Sequence, residues 1–288
     1  MLLRRSLTAG LASLALTLPA CARTPVAAPA PVPTPTAEPT SPVTSLPTPG
    51  PIVAPVTPVP ALRAPQPGDS LVPFERPKGT LLRTGMLVYD LSSTRGDVVS
   101  PLGIRTVNVT ESSLGGTPSW LIAEARTGTA LETSDSLFVS RADLSPTRWV
   151  ATVGKAQLAA SISRDSIFGG MQTYQGRSSF TTALPPGALL TPGMVERLVE
   201  LLPLQIGYRA AASLVLLELG SPRTVPANFV VEREERITLP SGQQIDCWVV
   251  TLRATPLEER LWVSKDGSRV VKTEQTIPGG LLTGTLRQ

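Results

Sequence analysis

The sequence predicts a mainly β protein: a strongly curved antiparallel sheet of about 11 to 12 strands, an open or half barrel, embracing one amphipathic helix. Three observations carry this. Apolar and polar residues alternate with period 2 through most of the stretch from Leu82 to Ile277. Helical periodicity occurs once, over residues 191–203, so the βαβ alternation of a parallel α/β sheet is missing. Short Gly, Pro and Asp clusters punctuate the alternating runs as turn signals.

The N-terminus precedes that domain. Arg4 and Arg5 form a basic start, and the apolar stretch from Leu7 to Leu18 stops at Pro19. A bilayer-spanning helix needs ~20 apolar residues, so this run is too short and reads as an export signal. No later apolar run is long enough for a second membrane span. Leu18-Pro19-Ala20-Cys21 resembles the lipobox of bacterial lipoproteins, in which the Cys is lipidated and begins the mature chain. That resemblance makes residues 1–20 a signal peptide and Cys21 the lipidation site. The alternative is cleavage after Ala22 and simple secretion.

From Thr24 to Pro67 the chain is mostly Ala, Val, Thr and Pro, and residues 25–77 hold 17 of its 30 prolines. Such a composition buries too little apolar surface to offset its ordering entropy, and Pro biases it toward extended polyproline II. At ~3.1 Å per residue its 44 residues reach up to ~135 Å. Residues 21–72 thus read as a tether, and 73–288 as the β domain. A Pro-rich ligand for a partner domain is the rival, but flanking Arg or aromatic anchors are missing.

Within the domain the alternating runs cover 82–91, 102–110, 120–126, 129–141, 147–153, 157–164 and 174–181. After the helix they cover 209–219, 228–239, 243–253, 259–265 and 269–277. Turn signals are Gly115-Gly116, Gly169-Gly170, Pro185-Pro186, Ser241-Gly242 and Asp266-Gly267, the last two spaced as two-residue hairpins. The helix has Thr191 as N-cap, Pro192 in its first turn and Pro203 as its stop. Met194, Val195, Leu198, Val199, Leu201 and Leu202 form its apolar face, while Glu196, Arg197 and Glu200 are expected to face away from the sheet.

Composition limits the chemistry. The chain has no His, which removes the commonest general base and metal ligand. Its net charge of +4 comes from 26 cations and 22 anions with no basic stripe, so nucleic-acid binding is not expected. Nucleophile, phosphate-loop and redox motifs are missing. Asp266-Gly267-Ser268 resembles the triplet of aspartic proteases, but a second copy is needed and the position suits a turn. The run Glu232-Arg233-Glu234-Glu235-Arg236 and the pair Glu258-Glu259 beside Arg260 read as solvated strand surface, with a carboxylate hydrolase as the enzymatic rival. Cys247, on an alternating strand, reads as a small buried hydrophobe. Neither a catalytic residue, a metal site nor a cofactor is expected.

The stretch from Leu190 to Thr276 resembles a family of exported bacterial β-proteins of unknown function, related in shape to the open-barrel lipoprotein carriers LolA and LolB. The residues are Leu201-Leu202-Pro203-Leu204 with Gly207, Leu239-Pro240-Ser241-Gly242, Cys247-Trp248-Val249-Val250, Leu261-Trp262-Val263-Ser264-Lys265 and Arg269-Val270-Val271-Lys272-Thr273-Glu274. It implies a concave apolar face, where LolA-like carriers hold acyl chains. By that analogy the expected function is a membrane-anchored envelope lipoprotein that binds a lipid or other apolar molecule without catalysis. Met194, Leu198, Leu201, Trp248 and Trp262 are the candidate ligand contacts. Ala22 after Cys21 points by resemblance to the outer membrane, facing the periplasm. The alternative is an envelope scaffold with a filled barrel, acting through protein contacts.

Overall fold

In a computed structural model of the protein, residues 72–128, 132–190, 193–217, 222–267 and 269–287 are described. The expected signal peptide, Cys21, the expected spacer and the expected Thr191-Pro192 cap lie outside these residues. The first meander comprises β2 (Gly85–Arg95), β3 (Val98–Leu114), β4 (Thr117–Thr127), β5 (Thr133–Ser140), β6 (Pro146–Val153), β7 (Ala156–Ile162), β8 (Ser166–Thr173) and β9 (Gly176–Ala183), after a short β1 (Val72–Pro73). A short β10 (Leu189–Leu190) and the helix α1 (Gly193–Val199) follow. The second meander comprises β11 (Arg209–Leu217), β12 (Pro222–Thr238), β13 (Gln244–Ala254), β14 (Leu257–Ser264), β15 (Val270–Ile277) and β16 (Gly280–Leu286).

The two meanders fuse because the last strand returns to the first: Leu281 pairs with Thr94 and Leu286 with Tyr89. One continuous sheet therefore runs from β11 through β16 to β2 and on to β9. It curls without closing. The outer edge of β11 takes β1 and β10 as short parallel partners, and the Thr182 hydroxyl on β9 donates to Pro222 O across the remaining gap at 3.4 Å. Register shifts at Leu91/Ser92, Phe138/Val139, Val231/Arg233 and Trp262/Val263 add the local bend that such curvature needs. Alternation then sends one face of every strand inward, where Val107, Trp120, Ile122, Leu137, Val139, Phe229, Leu252 and Leu261 form the core. Two-residue turns at 96–97, 154–155, 174–175, 255–256 and 278–279 gather at one end, called here the mouth. Among the described residues no helix is long and apolar enough to cross a membrane.

The curved antiparallel sheet with one helix is what the alternation predicts, but the sheet has 16 strands rather than 11 to 12. The additional ones are β1, β8, β10 and β16. Gly169-Gly170 is not a turn: it lies in the middle of β8, paired with Ala160 and Ala159 on one side and Phe180 and Ser179 on the other. A Cβ on Gly169 would sit 2.2 Å from Ala159 O, so close strand approach explains the glycine. β16 hides its alternation for the same reason, since a Cβ on Gly280 would fall 2.1 Å from Thr94 O. The loops at Ser241-Gly242 and Asp266-Gly267 are longer than two residues, being closed by Leu239 N to Gln243 O and Ser264 N to Arg269 O.

The helix is a correction too. It spans seven residues rather than thirteen, and every face of it is buried, with Glu196 at 2% and Arg197 at 4% exposure. Inside a sheet that wraps around it, a helix has no solvent side.

Gly169→Ala is expected to lower stability by about 1–3 kcal/mol, the usual penalty of forcing atoms into a packed site. Urea denaturation followed by circular dichroism checks this, and an unchanged midpoint contradicts the close approach at β8.

Candidate functional site

Charge buried inside the barrel needs partners, and the sheet and the helix supply most of them. Tyr89 on β2, Arg105 on β3 and Arg126 on β4 stand opposite one another in register, as do Glu124 on β4 and Asp135 on β5. Arg105 Nη2 donates to Glu124 Oε2 at 2.7 Å and Nη1 contacts Glu196 Oε1 on the helix at 2.6 Å. Arg126 Nε donates to Glu124 Oε1 at 3.0 Å. On the helix, Arg197 contacts Glu196 Oε2 at 3.4 Å and Glu200 Oε1 at 3.0 Å. Glu200 Oε1 accepts from Val270 N at 2.7 Å, and Arg197 Nη2 lies 3.4 Å from Tyr89 OH, which itself donates to Val270 O. A continuous chain of charged groups thus follows the helix through the interior.

The protonation states follow from this packing. Burial works against ionisation of Glu124, but Arg105 and Arg126 outweigh it and hold its carboxyl below the usual range. Burial likewise opposes the charge on Arg105, and Glu124 and Glu196 outweigh that. Burial pushes Glu200 up to about 7, with Arg197 and the Val270 N–H pulling the other way. Asp135 is raised to about 6 by burial although Trp149 Nε1 donates to its Oδ1 at 2.7 Å. Glu259 on β14 rises to about 8, through burial first and then through Glu196.

A cavity of about 750 Å³ opens at the mouth above this charged layer. Trp149, Ala151, Val153, Leu216, Leu257 and Ile277 supply apolar wall, Asp135, Glu196, Glu259 and Arg126 the charged part, and Thr133, Gln275 and Thr276 neutral polar groups. A smaller cavity of about 290 Å³ lies at the opposite end, beside Arg197, Glu200, Leu201 and Arg269.

Of the five residues expected to contact a ligand, none lines the larger cavity. Met194 and Leu198 are in the core. Leu201 is half-buried and lines the smaller cavity. Trp248 lies half-buried under Lys265 Nζ, 4.0 Å from the ring centroid, and Trp262 is buried beneath Lys272 Nζ at 4.3 Å. Glu259 is a correction: it pairs with Leu252 and Gln275 on the inward face rather than lying on solvated surface. The run at 232–236 does lie at the surface, in ion pairs such as Arg236 with Asp246 at 2.7 Å and Arg253 with Glu232 at 3.0 Å. Cys247 is fully buried with its thiol pushed up to about 12 by burial, a packing residue as its strand position suggests. Asp135 and Trp149 had no motif to mark them as a pair.

No protein-family model matches the chain, and no curated protein matches it in sequence. Among solved structures it is similar to a β-barrel-like protein of a domain of unknown function, DUF1849, from Brucella abortus. Identity is 12%, covering 72% of this chain and 98% of that one, with a TM-score of 0.47. It is also similar to the hypothetical lipoprotein YmcC from Escherichia coli K12, at 11% identity over 70% of this chain and 86% of that one, with a TM-score of 0.31.

Two outcomes are expected of the charged layer. Arg105→Leu leaves Glu124 and Glu196 buried without their shared partner and costs about 3–5 kcal/mol; adding Glu124→Gln and Glu196→Gln recovers much of it, because the uncompensated charge is gone. The pH dependence has a definite sign. Asp135, Glu200 and Glu259 bind protons more tightly folded (about 6, 7 and 8) than at their ordinary 3.8, 4.5 and 4.5. The native state therefore holds extra protons between those values, and stability falls as pH rises through the folded pKa values. Glu124 acts oppositely, its contribution being lost as pH falls through its depressed pKa. The urea midpoint is expected to peak near about pH 5 and decline toward about pH 8.5, and Glu259→Gln flattens the decline. A midpoint that rises over that range contradicts this assignment.

Proposed function

We propose that the protein is an exported, lipid-anchored envelope protein whose β domain binds an apolar or lipid-like molecule at the mouth of its half barrel, without catalysis. The observation that carries the binding reading is the mouth cavity. Its volume of about 750 Å³ falls in the range of roughly 300–1,000 Å³ usual for small-molecule sites, and its apolar walls with a few convergent polar groups fit the same pattern. The middle of the barrel is filled by α1, as the scaffold reading expects, so the binding site in this proposal is the mouth and not the helix face. The anchor is argued from the sequence: a short apolar signal ending at Cys21, then a Pro-rich spacer. Ala22 after that Cys supports outer-membrane placement facing the periplasm.

Binding is tested with the full chain, purified without detergent, and 1-N-phenylnaphthylamine as a neutral apolar fluorophore. Saturable binding is expected, and Val153→Trp, which fills the mouth, is expected to weaken it about tenfold. Native mass spectrometry reads co-purifying lipid in parallel. A protein that neither binds the fluorophore nor carries lipid leaves only the scaffold reading. The anchor has its own test: mass spectrometry of the mature N-terminal peptide is expected to give a diacylglyceryl-modified Cys21, whereas an unmodified terminus at Arg23 means simple secretion.

A further inference from the structure

The charges at the mouth do not balance. Among the described residues, four carboxyl groups face the interior toward the mouth (Glu124, Asp135, Glu196 and Glu259) against two guanidinium groups (Arg105 and Arg126). Glu124 and Glu196 each contact Arg105 within 2.7 Å. Asp135 and Glu259 form no ion pair with any described residue, and both line the larger cavity. A carboxylate taken from water without a partner is expensive, so such a group takes up a proton or a cation.

Three features select the kind of cation. The cavity wall beside these acids is apolar, through Trp149 and Leu257, so the occupant has an apolar body. Among the described residues no three acidic side chains converge at metal-ligand spacing, which disfavours a bare metal ion. Among the described residues the one basic group lining the cavity is Arg126, and it is engaged by Glu124 at 3.0 Å, which disfavours an anionic head.

We propose that the mouth cavity takes an amphipathic molecule with a protonated amine head, its ammonium held by Asp135 and Glu259 and its chain lying against Trp149 and Leu257. This deepens the binding reading above and rests on it. The groups facing Glu259 are Glu196, Glu124, Arg105 and Arg126; those facing Asp135 are the Trp149 N–H, Glu124, Arg126 and Arg105. Because the ammonium competes with protons already on the two acids, its binding releases protons and tightens as pH rises from about 6 to 8, then levels off.

The test compares three ten-carbon probes, 1-aminodecane, 1-decanol and decanoate, by isothermal titration calorimetry on the full chain near neutral pH and below their micellar concentrations. The amine is expected to bind at least about tenfold more tightly than the alcohol, and decanoate more weakly than either. Buffers of different ionisation enthalpy are expected to show proton release with the amine and none with the alcohol. Glu259→Gln with Asp135→Asn is expected to bring the amine-to-alcohol ratio to about one, while Glu258→Gln on the neighbouring surface leaves the ratio at its original value. Near-ultraviolet circular dichroism establishes that each variant is folded. Equal amine and alcohol affinities, a ratio that survives the double variant, or tightest binding of decanoate overturns the amine assignment and leaves the apolar site standing. Failure of all three probes to bind overturns both.

Discussion

Arg105 joins the sheet to the helix, and the rest of the interior is arranged around that contact. Its guanidinium sits at 3% exposure between Glu124 of the wall and Glu196 of α1. A seven-residue helix is too short to be stable by itself in water, so its stability comes from what surrounds it. Here the surroundings must match Glu196, Arg197 and Glu200 as well as Met194, Val195, Leu198 and Val199. Apolar contact alone does not fix the rotation of such a helix, since all its faces are buried. Paired charges do, because a rotation that takes Glu196 away from Arg105 leaves both buried groups short of a partner.

The charged layer also divides the interior. Along β3, β4, β5 and β14 the inward face carries Arg105, Glu124, Asp135 or Glu259 toward the mouth. Deeper in lie Val107 and Val109, Trp120 and Ile122, Leu137 and Val139, or Leu261 and Val263. The deeper layer is dry core. Above it stand groups that an occupant can meet, backed by ion pairs whose geometry is set by two strands, β3 and β4, and the helix. A site on such elements is held more firmly than one on loops.

Much of this architecture was legible in alternation alone, because period 2 survives wherever one face is buried. What escaped did so for local reasons. β8 and β16 carry glycines where neighbouring backbones approach closely, so the residues that mark strand packing imitate a turn. Glu196, Arg197 and Glu200 looked like an exposed face because amphipathicity is read on the assumption that charge seeks water. Glu259 looked like surface for the same reason. A usable signal was present: Arg105, Glu124, Asp135 and Glu259 each share an alternation face with two buried apolar neighbours. A single charge on an otherwise apolar strand face implies a buried partner, and four such strands carrying both signs imply a network. The approach of Glu259 to Arg105 and Glu124 was beyond reach, since it depends on β16 closing onto β2.

The placement of β1 gives the spacer a physical purpose. Val72 and Pro73 pair with Ala210 and Ala211, at the end of β11 remote from the mouth. A chain tethered through residues before Val72 is therefore held by the end opposite its cavity. In the lipid-anchored reading proposed above, a short tether would leave the mouth pointing away from the membrane. The longest strand, β3, has 17 residues, about 56 Å at 3.3 Å per residue. The ~135 Å reach that composition assigns to residues 24–67 is more than twice that length. In the same lipid-anchored reading, a tether of that reach would let the domain turn its mouth toward the membrane or away from it, so attachment at the far end would place no limit on which surface the cavity faces.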